Sequence, residues 1–328
     1  MTTAVAPQKF RVGFDRRDIP KVQAMWEQIL TSERWCEGPF TEKFESLWSQ
    51  WNGLPSVATS SWAGAAMACM AFLDVRDKVV LCPSNTFMAT PLSVLQSGGR
   101  VVFVDCNRSD LCMSYDDFVA KAEEHKPAAA WLVHIGGHLA FDTKAIADYC
   151  QQHGIALLED CAHAHGAAWN GRKPGTWGLA GVYSFYGTKT ISTGEGGMLV
   201  THNEQLAAFA RVFRNYGKPS YQAQGLNYRM SEFTAALGIA QTGRLEEIVA
   251  WKREYARTML DPQHPSRLKL PEGMSSGYYK YIVFEPTEPS TGKVYDQPCH
   301  RILKHDVHLP NTDWVAGHHW CPPIYYQP

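Results

Sequence analysis

An α/β fold with a mostly parallel, layered sheet is what this chain predicts, on three observations. Short apolar runs and helix-like stretches alternate from about residue 55 to 201. Several of the runs are apolar without alternation, as strands covered by helices on both faces are. Polar or charged residues close them, and in open sheets of this kind ligands sit at the carboxyl ends of the strands. With 328 residues, 45% hydrophobic and 19% charged, the chain can bury the core of one large domain and a smaller one.

In chain order the strand candidates are 56–59, 79–83, 101–105, 130–134, 156–160, 182–185 and 198–201, bounded by turn residues and alternating with helical patterns. The periodicity predicts helices over 65–73, 114–124 and 142–153. Thr59, Pro83, Asp105, His134 and Asp160 fall at strand ends. Loop polarity accounts for some of these, but less well for a carboxylate that closes an apolar strand. After Gly217 the pattern changes. Ser231 is a candidate N-cap and Glu232 an acidic first-turn residue of a long helix reaching about residue 258. The expected division is a large domain over 1–240 and a small C-terminal α+β domain over 241–328.

Charge and composition exclude several classes. Thirty-one basic residues against thirty-two acidic ones give a net charge of -1, so no nucleic-acid partner is expected. No apolar run approaches the roughly 18 residues that span a bilayer, and residues 1–10 lack the apolar core of a secretory leader. No membrane partner is expected. Nine cysteines, an odd number without a CxxC pair, read as reduced thiols in a cytoplasm. Thirteen histidines, His318 and His319 among them, come without paired cysteines or an HExxH spacing, so no metal site is expected.

The chemistry concentrates in residues 157–197. Asp160 ends one strand, Ser184 closes another, and Lys189 follows in a loop of small residues. A lysine beside buried strands has its amine pushed toward the neutral, nucleophilic form by desolvation or a nearby cation. An aspartate at the neighbouring strand end can pair with a protonated pyridine nitrogen and keep that ring electron-accepting, the demand made by pyridoxal phosphate. His163 is placed to hydrogen-bond the cofactor's ring oxygen. The run Thr59, Ser60, Ser61, Trp62, Ala63, Gly64 opens a helix, and free N–H groups there suit a phosphate dianion. On spacing alone, a structural Lys–Asp ion pair reads equally well.

Three linked motifs go further. Asp160-Cys-Ala-His163, Ser184-Phe-Tyr-Gly-Thr-Lys189 and Gly194-Glu195-Gly196-Gly197 resemble the Asp-x-x-His/Gln, Ser-Phe-x-x-x-Lys and Gly-Glu-Gly-Gly motifs of the DegT-type aminotransferases. These form the sugar aminotransferase branch of the aspartate-aminotransferase fold. The resemblance implies a type I pyridoxal-phosphate fold, with a large domain on a mostly parallel, mixed seven-stranded sheet. Lys189 would be the Schiff-base lysine and, with Asp160 and His163, the catalytic set. Phe87 matches the aromatic that stacks on the pyridoxal ring, with Thr86 a polar neighbour. Ser61, Trp62 and Ala63 would hold the phosphate through backbone, where the family usually has Gly-Thr at 62–63, and Ser184 through its hydroxyl. Asn227, in Asn227-Tyr-Arg229-Met-Ser-Glu232, matches the residue that reaches the phosphate of the partner subunit, so a homodimer with shared sites is implied. Tyr186, His138, Trp62 and Arg229 are candidates for the substrate walls.

The activity implied is transfer of an amino group, with glutamate loading the pyridoxamine form and a ketone receiving it. That ketone would be a 3- or 4-keto sugar carried on a nucleotide. A cyclitol or other polyol ketone is an alternative acceptor. A sugar dehydratase is a second alternative, which the retained Lys189 opposes, and a non-catalytic pyridoxal-phosphate-binding regulator is a third. The chain is shorter than the family's usual length, and its landmarks at 295–300, 309–312 and 322–325 are crowded. The small domain is therefore expected to be shortened, without the terminal strand and helix.

Overall fold

A computed structural model describes residues 13–327; the stretch 1–10, read above for a leader, lies outside the described residues. The main sheet takes β1 (Ser56–Thr59), β2 (Val79–Pro83), β3 (Arg100–Val104), β4 (Ala129–Val133) and β5 (Ala156–Asp160). The short β6 (Ala168–Trp169) lies apart, and β7 (Ala180–Ser184) and β8 (Gly197–Val200) complete the seven. Their spatial order is β1-β8-β7-β5-β4-β2-β3. β8 runs antiparallel to both neighbours and the other pairings are parallel. The sheet is thus mixed and mostly parallel.

Helices α1 (Ile19–Thr31), α2 (Pro39–Asn52), α3 (Trp62–Phe72), α4 (Ala89–Gln96), α5 (Tyr115–His125), α6 (Thr143–His153), α7 (Glu204–Phe213) and α8 (Glu232–Tyr255) cover it. Side chains along each strand alternate between two apolar layers. Val80, Cys82, Trp131, Leu158 and Val182 pack with α3 and α7. Leu81, Ala130, Leu132 and Leu157 face α5 and α6, and Ala58, Tyr183 and Met198 face α2 and α8. Burying one such side chain contributes roughly 1.5–3 kcal/mol. The alternation has a chemical consequence. Leu158 fixes Asp160 on the α3 face, while Leu157 fixes Glu159 on the other, and a one-residue slip would exchange the two carboxylates.

Glu159 is used structurally. Its carboxylate accepts the amides of Gly175 at 2.7 Å, Trp177 at 2.7 Å and Gly178 at 2.8 Å, and His134 Nε2 lies 2.9 Å away. His134 Nδ1 accepts the Ala140 amide at 3.1 Å, which leaves Nε2 as the donor to Glu159. Two further carboxylates read from the sequence also turn out to be caps. Asp105 accepts the amides of Asn311 and Thr312 at 3.0 and 2.7 Å. Glu232 is fully buried and accepts those of Gly38, Phe40 and Thr41 at 2.8–3.1 Å, tying α2 to α8.

Ser231 caps α8 through the Thr234 amide at 3.1 Å. The division expected at residue 240 falls inside this unbroken helix. Leu245, Ile248 and Val249 bury in the same cluster as Phe44, Trp48 and Tyr183, so nothing in the packing interrupts the helix there. It runs on into a π-helical turn over Ala256–Leu260. Beyond that, the described residues hold only β9 (Met274–Ser275), α9 (Cys299–Ile302) and α10 (Pro310–Gly317) as regular elements. β9 pairs with β6, which fastens the C-terminal part to the connection between β5 and β7.

His165 gives this core a pH dependence. It lies among Trp48, Tyr183 and Phe185, with neither ring nitrogen in a hydrogen bond, and burial pushes its imidazole down to about 3. The unfolded chain takes up a proton on this residue below about pH 6.5, and the folded chain does not. Stability is therefore lost as pH falls below that value, by about 2 kcal/mol from this residue at pH 5. Urea unfolding at pH 7.5 and pH 5 should show the His165→Phe protein losing about 2 kcal/mol less than wild type; an unchanged pH slope would refute this.

Candidate active site

A cavity of about 730 Å³ opens beyond the carboxyl edge of the sheet, in the size range of cofactor and small-molecule sites, roughly 300–1,000 Å³. Loops after β1, β2, β5 and β7 line it, and a wall over residues 279–302 comes from the C-terminal part.

The loop after β1 brings the start of α3 to the cavity. Ser61 caps the helix, its Oγ accepting the Gly64 amide at 3.4 Å. Thr59 Oγ1 donates to the Ser61 carbonyl at 2.8 Å, and the Ser60 amide to that of Tyr228 at 2.7 Å. β8 passes so close that a Cβ at Gly197 would stand 2.3 Å from the Ser61 carbonyl oxygen, which accounts for the last glycine of the Gly-Glu-Gly-Gly motif. Ser61, Trp62 and Ala63 therefore present the free N–H end of a helix to the cavity, a place for an anion. The Trp62 indole is only 7% exposed and packs against Trp131 at 5.3 Å. It is a core side chain, and its expected part in a substrate wall is reduced to the cavity's edge.

Phe87, after β2, is 65% exposed and lines the cavity. It does not fill the core. Thr86 hydrogen-bonds Thr90 at 3.1 Å, and Thr90 Oγ1 donates to Asp160 Oδ2 at 3.0 Å. Asp160 Oδ1 accepts the Ala162 amide at 3.0 Å. The Asp160 carboxylate is 5% exposed, and its two hydrogen-bond donors are neutral. Burial raises its pKa, against the pull of the Ala162 amide and of Lys189.

Lys189 lies half-buried in the loop after β7, with Nζ 5.0 Å from the centre of the Tyr279 ring. Desolvation lowers its amine to about 8; Asp160 opposes this and Lys280 adds to it. His163 is buried and stacked on Tyr279 at 4.1 Å. Its Nε2 is 3.5 Å from the Tyr295 hydroxyl, and its Nδ1 has no partner. Burial holds this ring well below the usual histidine range, so it is a neutral group with one orphaned nitrogen. Ser184 lines the cavity, its Oγ accepting the Tyr186 amide at 3.3 Å, and Tyr186 stands 47% exposed beside it.

Three expected residues are elsewhere. His138 is buried, its Nε2 donating to the Asp110 carbonyl at 3.2 Å, and burial pushes it to about 4. It borders a separate small pocket and is not a substrate wall. Arg229 hydrogen-bonds Asn215 and leans over Tyr216 at 5.7 Å, which makes it an anchor of its own loop. Asn227 is exposed, with Oδ1 accepting the Arg229 amide at 3.3 Å, and it is not among the residues lining this subunit's cavity.

Sequence reasoning missed Thr90, Tyr279, Lys280 and Tyr295. The last three arrive from a region with little regular structure, and one signal for them was present. Gly136 and Gly137 follow β4 in the left-handed region, and a Cβ at Gly137 would meet the Tyr279 amide nitrogen at 2.5 Å. The two carbonyls accept the amides of Lys280 and Gly277, both at 2.8 Å. This glycine pair is what lets the 276–280 segment pass into the cavity. Among the described residues, metal-ligating side chains also meet at Asp110, Cys112 and His138 and at His134, Glu159 and Cys161. The Asp110 and Glu159 oxygens are engaged by backbone amides.

The fold and this cavity define the class. Residues 17–289 match the DegT/DnrJ/EryC1/StrS aminotransferase family, and the chain belongs to that family. It is 33% identical to the GDP-perosamine synthase of Vibrio cholerae over 67% of this chain, and spans 61% of that relative's length. It is 31% identical to the dTDP-3-amino-3,4,6-trideoxy-alpha-D-glucose transaminase of Micromonospora megalomicea subsp. nigra, over 99% of this chain and 94% of that one. Among solved structures, the aminotransferase TlmJ from Streptoalloteichus hindustanus superposes with a TM-score of 0.87 at 26% identity, over 98% of this chain and 94% of the other. Among the described residues no helix is long and apolar enough to cross a membrane.

Proposed function

We propose that this chain is a pyridoxal-phosphate-dependent aminotransferase that carries an amino group from glutamate to a nucleotide-linked 3- or 4-keto sugar. One observation carries the reading. A single cavity holds the amine of Lys189, a buried carboxylate with neutral donors at Asp160, an exposed aromatic face at Phe87 and an open helix N-terminus. That set fits the cofactor's parts. The start of α3 and the Ser184 hydroxyl suit its phosphate, Phe87 one face of its ring, and Asp160 a protonated ring nitrogen. The orphaned Nδ1 of His163 suits its ring oxygen. When bound, the cofactor supplies an electron sink.

The chain's own residues supply the rest. Lys189 anchors the cofactor and, once free, takes and returns a proton at the substrate carbon that bears the amine. An amine near 8 keeps an appreciable neutral fraction at neutral pH, as a base requires. Asp160 keeps a positive charge on the ring nitrogen. Three anchoring points fix the ring's orientation relative to the substrate bond. Both relatives named above act, by their names, on nucleotide-carried sugars or make them, which supports the acceptor class. Nine free thiols suit a reducing cytoplasm. The test is single turnover: protein loaded with cofactor and glutamate, then given nucleotide keto sugars and, separately, cyclitol ketones. Amination of the nucleotide sugars supports the reading; amination of cyclitols alone replaces its acceptor.

The same reading includes a homodimer with shared sites, motivated by Asn227 standing exposed outside this subunit's cavity. A two-fold interface would give two reciprocal contacts to phosphate. Lys189→Ala and Asn227→Asp subunits, each inactive alone, should on exchange form mixed dimers in which one site carries both defects and the other neither. Activity should then return to about half of wild type per mixed dimer. No recovery despite demonstrated exchange, or an active monomer in sedimentation, would rule the shared site out.

A further inference from the structure

Against the C-terminal side of Lys189 lies a second, much smaller pocket of about 30 Å³, bordered by Thr188, Lys189, Thr190, Lys252, Tyr279 and Lys280. Gly13 and the segment 324–326 close it. Three lysine side chains converge there, and among the described residues no Asp or Glu lines it. Nor does the sequence before Gly13 contain either residue.

Two observations make this more than a basic patch. Lys252 is 6% exposed, and its one hydrogen-bond partner among the described residues is a neutral oxygen, the Tyr278 carbonyl at 3.0 Å. Burial and the like charge of Lys280 push its amine down to about 7. Thr190 is 7% exposed, and its hydroxyl has no hydrogen-bond partner. A buried amine whose charged form has no counter-charge and a buried hydroxyl without a partner are each unsatisfied alone. Set in one pocket, they are complementary to an anion.

We propose that this pocket binds a small oxyanion, a carboxylate or a single inorganic ion, with Lys252 and Thr190 as its ligands. Lys280 adds positive potential at the same point, and Lys189 does so only while its amine is free. Size excludes a sugar or nucleotide. The pocket shares Thr188, Lys189, Tyr279 and Lys280 with the main cavity, so the anion has two possible sources. One is the carboxylate of the amino donor, an assignment that rests on the proposed function; the other is a free inorganic ion.

The experiment uses full-length protein loaded with pyridoxal phosphate, as wild type, Lys252→Met and Thr190→Val, with acetate as the probe at fixed ionic strength. Wild type should show a saturable rise in Tm with acetate, by linkage. Lys252→Met should lose the saturation, and Thr190→Val, of nearly equal volume, should need several times more acetate. If Lys252→Met does not fold, Thr190→Val decides alone. A wild type without saturation, or variants that saturate as wild type does, would overturn the proposal. This readout needs no turnover, so failure of the aminotransferase reading leaves it intact. The source follows from steady-state kinetics. Acetate competing with glutamate, and a donor KM at least tenfold higher in Lys252→Met at unchanged acceptor KM, assign the pocket to the donor carboxylate. Acetate binding without either effect assigns it to a free ion.

Discussion

Lys189→Ala is expected to abolish amino transfer while leaving the fold intact. Two proposed roles go at once: the covalent anchor for the cofactor, and the base that moves the proton. The second alone is worth about 10²- to 10⁴-fold. The other amines nearby are poorly placed to substitute. Lys252 is bonded to the Tyr278 carbonyl and borders the small pocket but not the main cavity, while Lys280 is hydrogen-bonded to Thr291 at 3.1 Å. Folding should survive, because the Lys189 side chain has no ion pair to lose among the described residues and its backbone N–H still donates to the Tyr186 carbonyl at 2.9 Å. The purified variant should lack the visible absorbance of the loaded enzyme. Turnover above a few per cent of wild type, roughly 2 kcal/mol of lost barrier stabilisation, would show that Lys189 has neither role.

Asp160→Asn should be nearly as severe. Asparagine keeps the shape, and its oxygen can still accept from Thr90 or from the Ala162 amide, so the change is largely one of charge. Removing a buried carboxylate from a cation costs on the order of 2–5 kcal/mol, which is about 30- to 5,000-fold in rate. The loss should fall on kcat, with cofactor still bound through Lys189 and the start of α3. Near-normal kcat in the purified variant would refute the pairing.

The parts of this account that were legible in the sequence are those in which local pattern and tertiary role coincide. Asp160 and Ser184 could be placed because β5 and β7 are buried on both faces and their last residues must emerge at the carboxyl edge. Ser61 could be placed because the run 59–64 follows a strand and opens a helix, although the helix starts at Trp62, three residues before the expected 65. What stayed hidden depends on contacts between distant segments. Nothing local to Tyr279, Lys280 or Tyr295 says that they enter the cavity; that follows from Gly136 and Gly137 admitting the 276–280 backbone. His138 sits beside those glycines and reads as exposed loop chemistry, yet the same turn carries it into the interior, against Asp110. Asp105 follows directly on β3 and was expected to close it as Asp160 closes β5, but its carboxylate meets α10 rather than the cavity. Two carboxylates with one sequence signature thus have different roles, decided by what the fold places opposite them.

The most direct measurement is to load the protein with pyridoxal phosphate, reduce it with borohydride, digest it and map the modified peptide by mass spectrometry. The expected result is one pyridoxyl group per chain, on the peptide containing Lys189. Modification centred on Lys252 or Lys280, or no stable modification, would contradict it.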